Sequence, residues 1–302
     1  MFKNLTIYRL TSAGTINPDS IDEALQANAF VPCTPTQALS AGWAPPRGEA
    51  GGPLAETSGD SILLKLMIET RSVPGPNVAK RVNELAEEVE RQTGRKPGKK
   101  QSKELKEQAI QELLPNAFSK HSSVMVWIDR KTSLVAFDTA SQAKVDHATT
   151  LLVKSVPNIA LSWLNTNMTP ASAMAHWLGT GEAPYQFSID RDCELKSTDE
   201  MRSVIRYRRK DLGTEEVRDH ITSGMMPTKL ALTYIDRVSF VLSESGAIRG
   251  IDLLDVVFES TGQAPNADAF DADAVIATAE LRALIQALVE ALGGEQEIER
   301  AA

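Results

Sequence analysis

Cysteine and histidine are scarce in this chain. Cys33 and Cys193 are the only cysteines in 302 residues, which excludes a disulfide framework and a four-cysteine zinc site; both read as small buried hydrophobes. The four histidines, His121, His147, His176 and His220, stand apart from one another and from the cysteines, so no metal-ligand spacing is present and no cofactor is expected. Also missing are a GxxxxGK[ST] phosphate loop, a GxGxxG turn, a GxSxG elbow and an HExxH pair. No run of 18 apolar residues occurs, and the opening MFKNLTIYRL alternates like a strand and lacks the apolar core of a secretory leader. The expectation is a cytoplasmic protein with no membrane contact.

What the chain does have is an uneven charge distribution. Residues 80–106 carry Lys80, Arg81, Arg91, Arg95, Lys96, Lys99, Lys100, Lys103 and Lys106 against Glu84, Glu87, Glu88, Glu90 and Glu104, a net of +4. Residues 202–210 add Arg202, Arg206, Arg208, Arg209 and Lys210 with no acid, a net of +5. The whole chain sums to −8, so the remainder carries −17. Two islands of positive charge on a repelling body are what a polyanion-binding surface needs.

The periodicity predicts an α+β fold. A strand spans Leu5 to Leu10, a helix Ser20 to Asn28, and a Gly/Pro-rich loop Gly42 to Pro53. Ser61 to Ile68 is an apolar run suited to a buried strand. After the breaker Pro74-Gly75-Pro76, apolar residues at Val78, Val82, Leu85 and Val89 repeat at helical spacing with Asn77 as N-cap. Gly94, Pro97 and Gly98 interrupt, and a second helix starts at Ser102 and ends near Pro115. Strands follow at Val124 to Asp129 and Leu134 to Asp138, then a helix at Ser141 to Lys154. Strands at Lys229 to Tyr234, Val238 to Leu242 and Ile248 to Leu253 precede a C-terminal helix striped by Leu281, Leu284, Ile285, Leu288 and Leu292. The implied organisation is an N-terminal lobe (1–73 and 119–164), an inserted basic helical hairpin (74–118) and a C-terminal lobe (165–302), the two α+β lobes being read as diverged repeats.

Candidate chemistry divides between carboxylates and cations. Asp252, Asp255 and Glu259 form one acidic cluster, and Asp268, Asp271 and Asp273 another; a two-metal nuclease needs such groups, while acids before a helix also simply favour its N-terminus. The hairpin cations can be a solvated helix face, yet Arg95, Lys96, Lys99 and Lys100 persist through the turn, and Gly94 and Gly98 leave room for a phosphate backbone. If Val204 to Lys210 is extended, Arg206, Arg208 and Lys210 share one face, a repulsive row that an anionic partner would relieve. DNA contact is therefore expected at Arg95, Lys96, Lys99, Lys100, Lys103, Arg206, Arg208 and Lys210. Phe118, directly after a Pro-terminated helix in a polar setting, is either tucked into its own core or offered to a partner.

Several motifs together, FKNLTIYRL, FVPC with GWAPP, TGRKPGKK, LLPNAFSKHS with MVWID, RRKDLGTEEV, TKLAL and LRALIQALVEALGG, run nearly end to end and resemble the bacterial recombination-associated RdgC family. The resemblance implies a DNA-binding protein without enzymatic activity, associated with the nucleoid. Its horseshoe-shaped subunits would close as a homodimeric ring around double-stranded DNA, with single-stranded DNA a second ligand to consider, and would limit the RecA recombinase. It also implies that Phe118 helps close one subunit interface, that Arg209 lies near the other, and that Arg95 contacts DNA. Asn116 departs from the basic residue often found in the family two positions before that phenylalanine. The alternatives are a metal-dependent nuclease using Asp252, Asp255 and Glu259, and a regulator that docks the recombinase directly.

Overall fold

Ser61–Arg71 shows why the apolar run reads as it does: seven of its eleven residues are buried, on both sides of the strand, and none is exposed, the mark of a strand covered on both faces. The computed structural model describes residues 2–11, 16–199, 202–259 and 269–296. Among them lie twelve strands and eight α-helices. In chain order these are β1 (Asn4–Leu10), α1 (Pro18–Gln26), β2 (Leu39–Ala44), β3 (Ala55–Ser58), β4 (Ser61–Arg71), α2 (Gly75–Thr93), α3 (Lys99–Leu113), β5 (Ser119–Asp129), β6 (Leu134–Phe137), α4 (Gln142–Ser155) and β7 (Leu161–Trp163). There follow α5 (Pro170–Thr180), β8 (Phe187–Lys196), β9 (Val204–Tyr207), α6 (Glu215–Thr222), β10 (Met226–Tyr234), β11 (Val238–Ser243), β12 (Ile248–Leu253), α7 (Asp255–Glu259) and α8 (Ala269–Ala291).

The strands form one antiparallel sheet ordered β2-β4-β5-β6-β1-β12-β11-β10-β8-β9, with β3 on β4 and β7 on β1. The first strand is the joint. Its start pairs with β12 through Asn4↔Arg249 and Leu5↔Ile248, and its remainder with β6 through Thr6↔Phe137 to Arg9↔Leu134. On one face, Ile21 and Leu25 of α1 and Val145, Ala148 and Leu152 of α4 cover β1 and β4 to β6. On the other, α5, α6 and α8 lay Trp177, Val217, Leu281 and Leu288 over β1, β8 and β10 to β12. That second core also takes in Leu63, Trp127 and Leu134, so α8 reaches strands far from it in sequence. Arg282 of α8 seals the crossing: its Nε and Nη2 donate to the fully buried Asp129 at 2.7 and 3.0 Å, and the guanidinium holds that carboxyl below the usual carboxylate range against the effect of burial.

Several expectations shift for identifiable reasons. The first hairpin helix begins at Gly75 with Pro74 as its cap residue, because proline in the first turn is preorganised and has no N–H to satisfy; Asn77 is already helical. The second begins at Lys99 behind Gly98, and Ser102 Oγ donates back to the Gly98 carbonyl at 3.0 Å in place of capping. The expected loop from Gly42 contains the end of β2. A Cβ on Gly42 would lie 2.4 Å from Phe30 Cα, so this glycine serves close approach and not a turn. The extended segment from Val204 stops at Tyr207, and Arg209 sits at φ 52°, ending the face alternation expected for Arg206, Arg208 and Lys210. The helices α5 and α6 and the strands β3, β7 and β8 were not anticipated.

Candidate nucleic-acid interface

Apolar side chains Val78 and Leu85 of α2 meet Leu105 and Ala109 of α3 in a small separate core. Arg81 near the start of α2 donates to Glu112 near the end of α3 at 2.7 Å and to Glu84 at 3.0 Å, so the two helices run antiparallel. Gly94 ends α2 at φ 69°, its N–H donating to the Glu90 carbonyl at 2.8 Å; only glycine takes that conformation without strain. Thr93 Oγ1 then bridges the Val89 and Arg95 carbonyls at 2.8 and 3.2 Å, bracing the connection.

Around this connection Arg95, Lys96, Lys99 and Lys100 are all exposed, and among the described residues none forms an ion pair. Lys99 and Lys100 fall in the first turn of α3, which has no acid. Cations there oppose the helix dipole, so helix stability does not account for them. Lys103 approaches Glu107 at 4.0 Å with both side chains largely in solvent, an arrangement worth little. The notched end of the helical pair is thus a group of free positive charges on a braced backbone.

At the opposite end, the chain leaves α3 through a short 3-10 turn, Leu114–Asn116, with Leu114 buried. Phe118 follows and is 95% exposed, which leaves ungained the ~1.5–3 kcal/mol that burying such a side chain yields. The core alternative for Phe118 is therefore excluded. Asn116 is exposed beside it. The neighbouring strand ends are fixed by Glu69, whose buried carboxylate accepts the Cys33 N–H at 2.7 Å. That backbone N–H, with Ser119, His121 and Arg71, holds its pKa below the ordinary value despite burial. A cavity of about 640 Å³ lies between the helical pair and this strand end, lined by Arg71, Val73, Val78, Val82, Lys106 and Ile110.

The second cationic stretch is built differently. Arg206 Nε and Lys229 Nζ both donate to Glu194, at 2.6 and 3.0 Å, and Thr228 Oγ1 donates to the same carboxylate at 2.8 Å. These bonds, Arg206 first, bring the Glu194 pKa down to about 2. Lys210 donates to Glu216 at 2.6 Å and lies 5.3 Å from the centre of the Tyr207 ring. Burial, reinforced by Glu216, pushes the Tyr207 hydroxyl up to about 12. The Arg209 N–H donates to Asp192 at 2.7 Å, while the Arg208 and Arg209 side chains are exposed and make no ion pair among the described residues. Glu194 and Lys229 escaped the sequence reading. Their only signal is that Glu194, Arg206 and Lys229 occupy one cross-strand row, and that row needs the strand register.

The acidic candidates do not converge among the described residues. Asp252 is the last residue but one of β12 and Asp255 opens α7, both exposed; the Glu259 side chain and Asp268 lie outside the described residues. Asp271 is bound to Arg47 in the first turn of α8. No group of three or more His, Cys, Asp or Glu side chains there could hold a metal ion. Both cysteines are free and buried, and burial pushes the Cys193 thiol up to about 12. None of the described helices is long and apolar enough to cross a membrane.

Residues 1–295 match the family model described as "Putative exonuclease, RdgC". A protein of Dechloromonas aromatica named recombination-associated protein RdgC is 42% identical over 299 residues, spanning 97% of this chain and 98% of the relative. Proteins of the same name from Herminiimonas arsenicoxydans and Bordetella pertussis are each 41% identical, over 98% of this chain and 98% and 99% of their own lengths. The chain belongs to the RdgC family of recombination-associated proteins.

Proposed function

We propose that this protein is a non-enzymatic, largely sequence-independent DNA-binding protein that closes as a homodimeric ring around duplex DNA and limits RecA-dependent recombination. The observation that carries the reading is the group of exposed, unpaired cations Arg95, Lys96, Lys99 and Lys100 on a chain of net charge −8. Each would neutralise a phosphate and release its counterion, with Lys103 beside them and Arg206, Arg208 and Lys210 on the distant stretch. Base edges play no part, so affinity varies little with sequence and falls steeply with salt. In this reading the lobes 1–73 with 119–164 and 165–302 form a horseshoe, and residues 74–118 are its basic hairpin. Phe118, bare at the foot of that hairpin, meets the Phe118 patch of a second copy about a two-fold axis, and Arg209 lies near the other contact.

Binding of unrelated duplexes across a salt series tests the DNA contact; strong sequence selectivity with a flat salt response would overturn it. Mass in solution, with and without DNA, tests the dimer. In a strand-exchange reaction, relief of inhibition by excess duplex is expected when DNA is the target, and persistence of inhibition points to direct docking on the recombinase. The family model's description favours an exonuclease as the second reading. Linear and circular duplex incubated with magnesium or manganese separates the two, because any turnover favours the enzyme.

A further inference from the structure

Two adjacent rows of side chains cross the sheet from β9 toward β1 and face opposite ways. One row, Tyr207, Cys193, Leu230, Leu242, Ile248 and Leu5, is paired strand to strand and buried beneath α5, α6 and α8. The next row, Arg206, Glu194 and Lys229, is paired in the same way and looks out on the other side, ending at the buried Ser243. Over β1 and β4 to β6 that other side is covered by α1 and α4; over β8 to β11 no buried apolar cluster forms on it among the described residues. It is a half-buried sheet face that carries cations and opens to solvent at Arg206 on the β9 edge.

On this face is a cavity of about 320 Å³ lined by Asp192, Glu194, Arg206, Arg208, Lys229 and Val241, and reached also by Cys193 and Tyr207 of the buried row. By the share of liquid volume that one water takes, the space corresponds to roughly ten waters, enough for a phosphate group. Both carboxylates on its wall are already engaged: Glu194 by Arg206, Lys229 and Thr228, and Asp192 by the Arg209 N–H. The cations are not saturated. Among the described residues, both Nη groups of Arg206, the remaining N–H groups of Lys229 and the whole Arg208 guanidinium make no hydrogen bond to another residue. Glu194 thus fixes two cations at its oxygens while leaving their other donors directed elsewhere, which is how a preorganised oxyanion site is made.

We infer that this cavity seats one backbone phosphate of bound nucleic acid, held by Arg206, Arg208 and Lys229, with Glu194 fixing the first and third. The inference rests on the DNA-binding reading and names a contact within it that is separate from the helical pair. Arg208→Gln and Lys229→Gln remove donors without emptying a core, since Arg208 is exposed and unpaired and Glu194 retains Arg206 and Thr228. The test uses the full chain and one duplex oligonucleotide, with affinity measured across a potassium chloride series for the parent, each of these two variants, and Lys99→Gln/Lys100→Gln. Each seat variant is expected to reduce the slope of log affinity against log salt by up to about 0.9, the value for one lost phosphate contact; thermal unfolding is expected to be unchanged for Arg208→Gln and lowered for Lys229→Gln, which gives up a hydrogen bond to Glu194. If both seat variants keep the parental slope while the α3 variant lowers it, the seat is overturned and the DNA-binding reading stands. If the parent fails to bind the duplex at any salt, or all the variants bind with its slope, the reading falls and the seat with it.

Discussion

Two cationic regions of this molecule reach positive surface by opposite means. Between α2 and α3, Arg95, Lys96, Lys99 and Lys100 have no acidic partner among the described residues, and only their backbone is organised, by Gly94 and Thr93. On the sheet, Arg206 and Lys229 share Glu194, and Lys210 is bound by Glu216. Free lysines keep their rotamer entropy until a ligand arrives and lose it then. Fixed cations have lost it during folding, and their charge is partly cancelled by the acid that holds them. Charge alone therefore ranks the two regions wrongly. The first suits loose, adaptable contact along a backbone, and the second a single contact of defined geometry.

Replacing Arg95, Lys96, Lys99 and Lys100 together with Gln should have the largest effect. Four lost phosphate contacts reduce the salt slope by about 3.6, and duplex affinity at moderate salt falls by orders of magnitude. Unfolding should be unchanged to within about 0.5 kcal/mol, as for surface positions generally, and calorimetry beside the binding series checks both halves of that statement. Next in size is Phe118→Ser, which removes a side chain that is 95% exposed and so leaves the fold intact. In the ring reading it shortens the residence time on circular duplex at least tenfold while binding to short linear duplex changes little; equal residence times would remove Phe118 from the contact.

Glu194→Gln probes the fixed region through stability. The Glu194 pKa is about 2 in the folded chain, below its ordinary value, so the stabilisation is complete above the unfolded carboxylate range and is lost as pH falls toward 2. The variant should unfold about 1.5–3 kcal/mol more easily at pH 7, the range for hydrogen bonds to charged groups, and the gap should close on acidification. A gap independent of pH would mean that packing is responsible. The smallest effect is expected from Lys103→Gln, whose contact with Glu107 is long and exposed: stability within about 0.5 kcal/mol and a slope change of no more than about 0.9.

Much of the architecture was legible because its signal is local. Ser61 to Ile68 lies inside β4, and Leu281, Leu284, Ile285, Leu288 and Leu292 are all buried, with Gly293 at φ 83° following the helix. The helices α2 and α3 were legible for the same reason. What stayed hidden depends on long-range partners or on competition between cap signals. Asn77 and Ser102 are good cap types, yet Pro76 and Gly98 start the helices earlier. Glu194 lies 12 residues from Arg206 and 35 from Lys229, separations at which no pattern along the chain pairs them. The repulsive row of three cations failed because Arg209 leaves the extended region, a backbone event that side-chain alternation cannot foresee.

The crossing of Arg282 to Asp129 bears on the order in which the chain can fold. The Asp129 carboxylate is buried at the end of β5, and its cationic partner lies 153 residues later. During synthesis the early strands emerge first, but until α8 is made they must hold an unpaired carboxylate or leave that corner of the sheet open to water. Losing one partner of a buried pair costs about 3–5 kcal/mol. A nascent or truncated chain lacking α8 can still pair β5 with β4 and β6, but it leaves the Asp129 carboxylate to the Lys131 N–H and Thr132 Oγ1 alone.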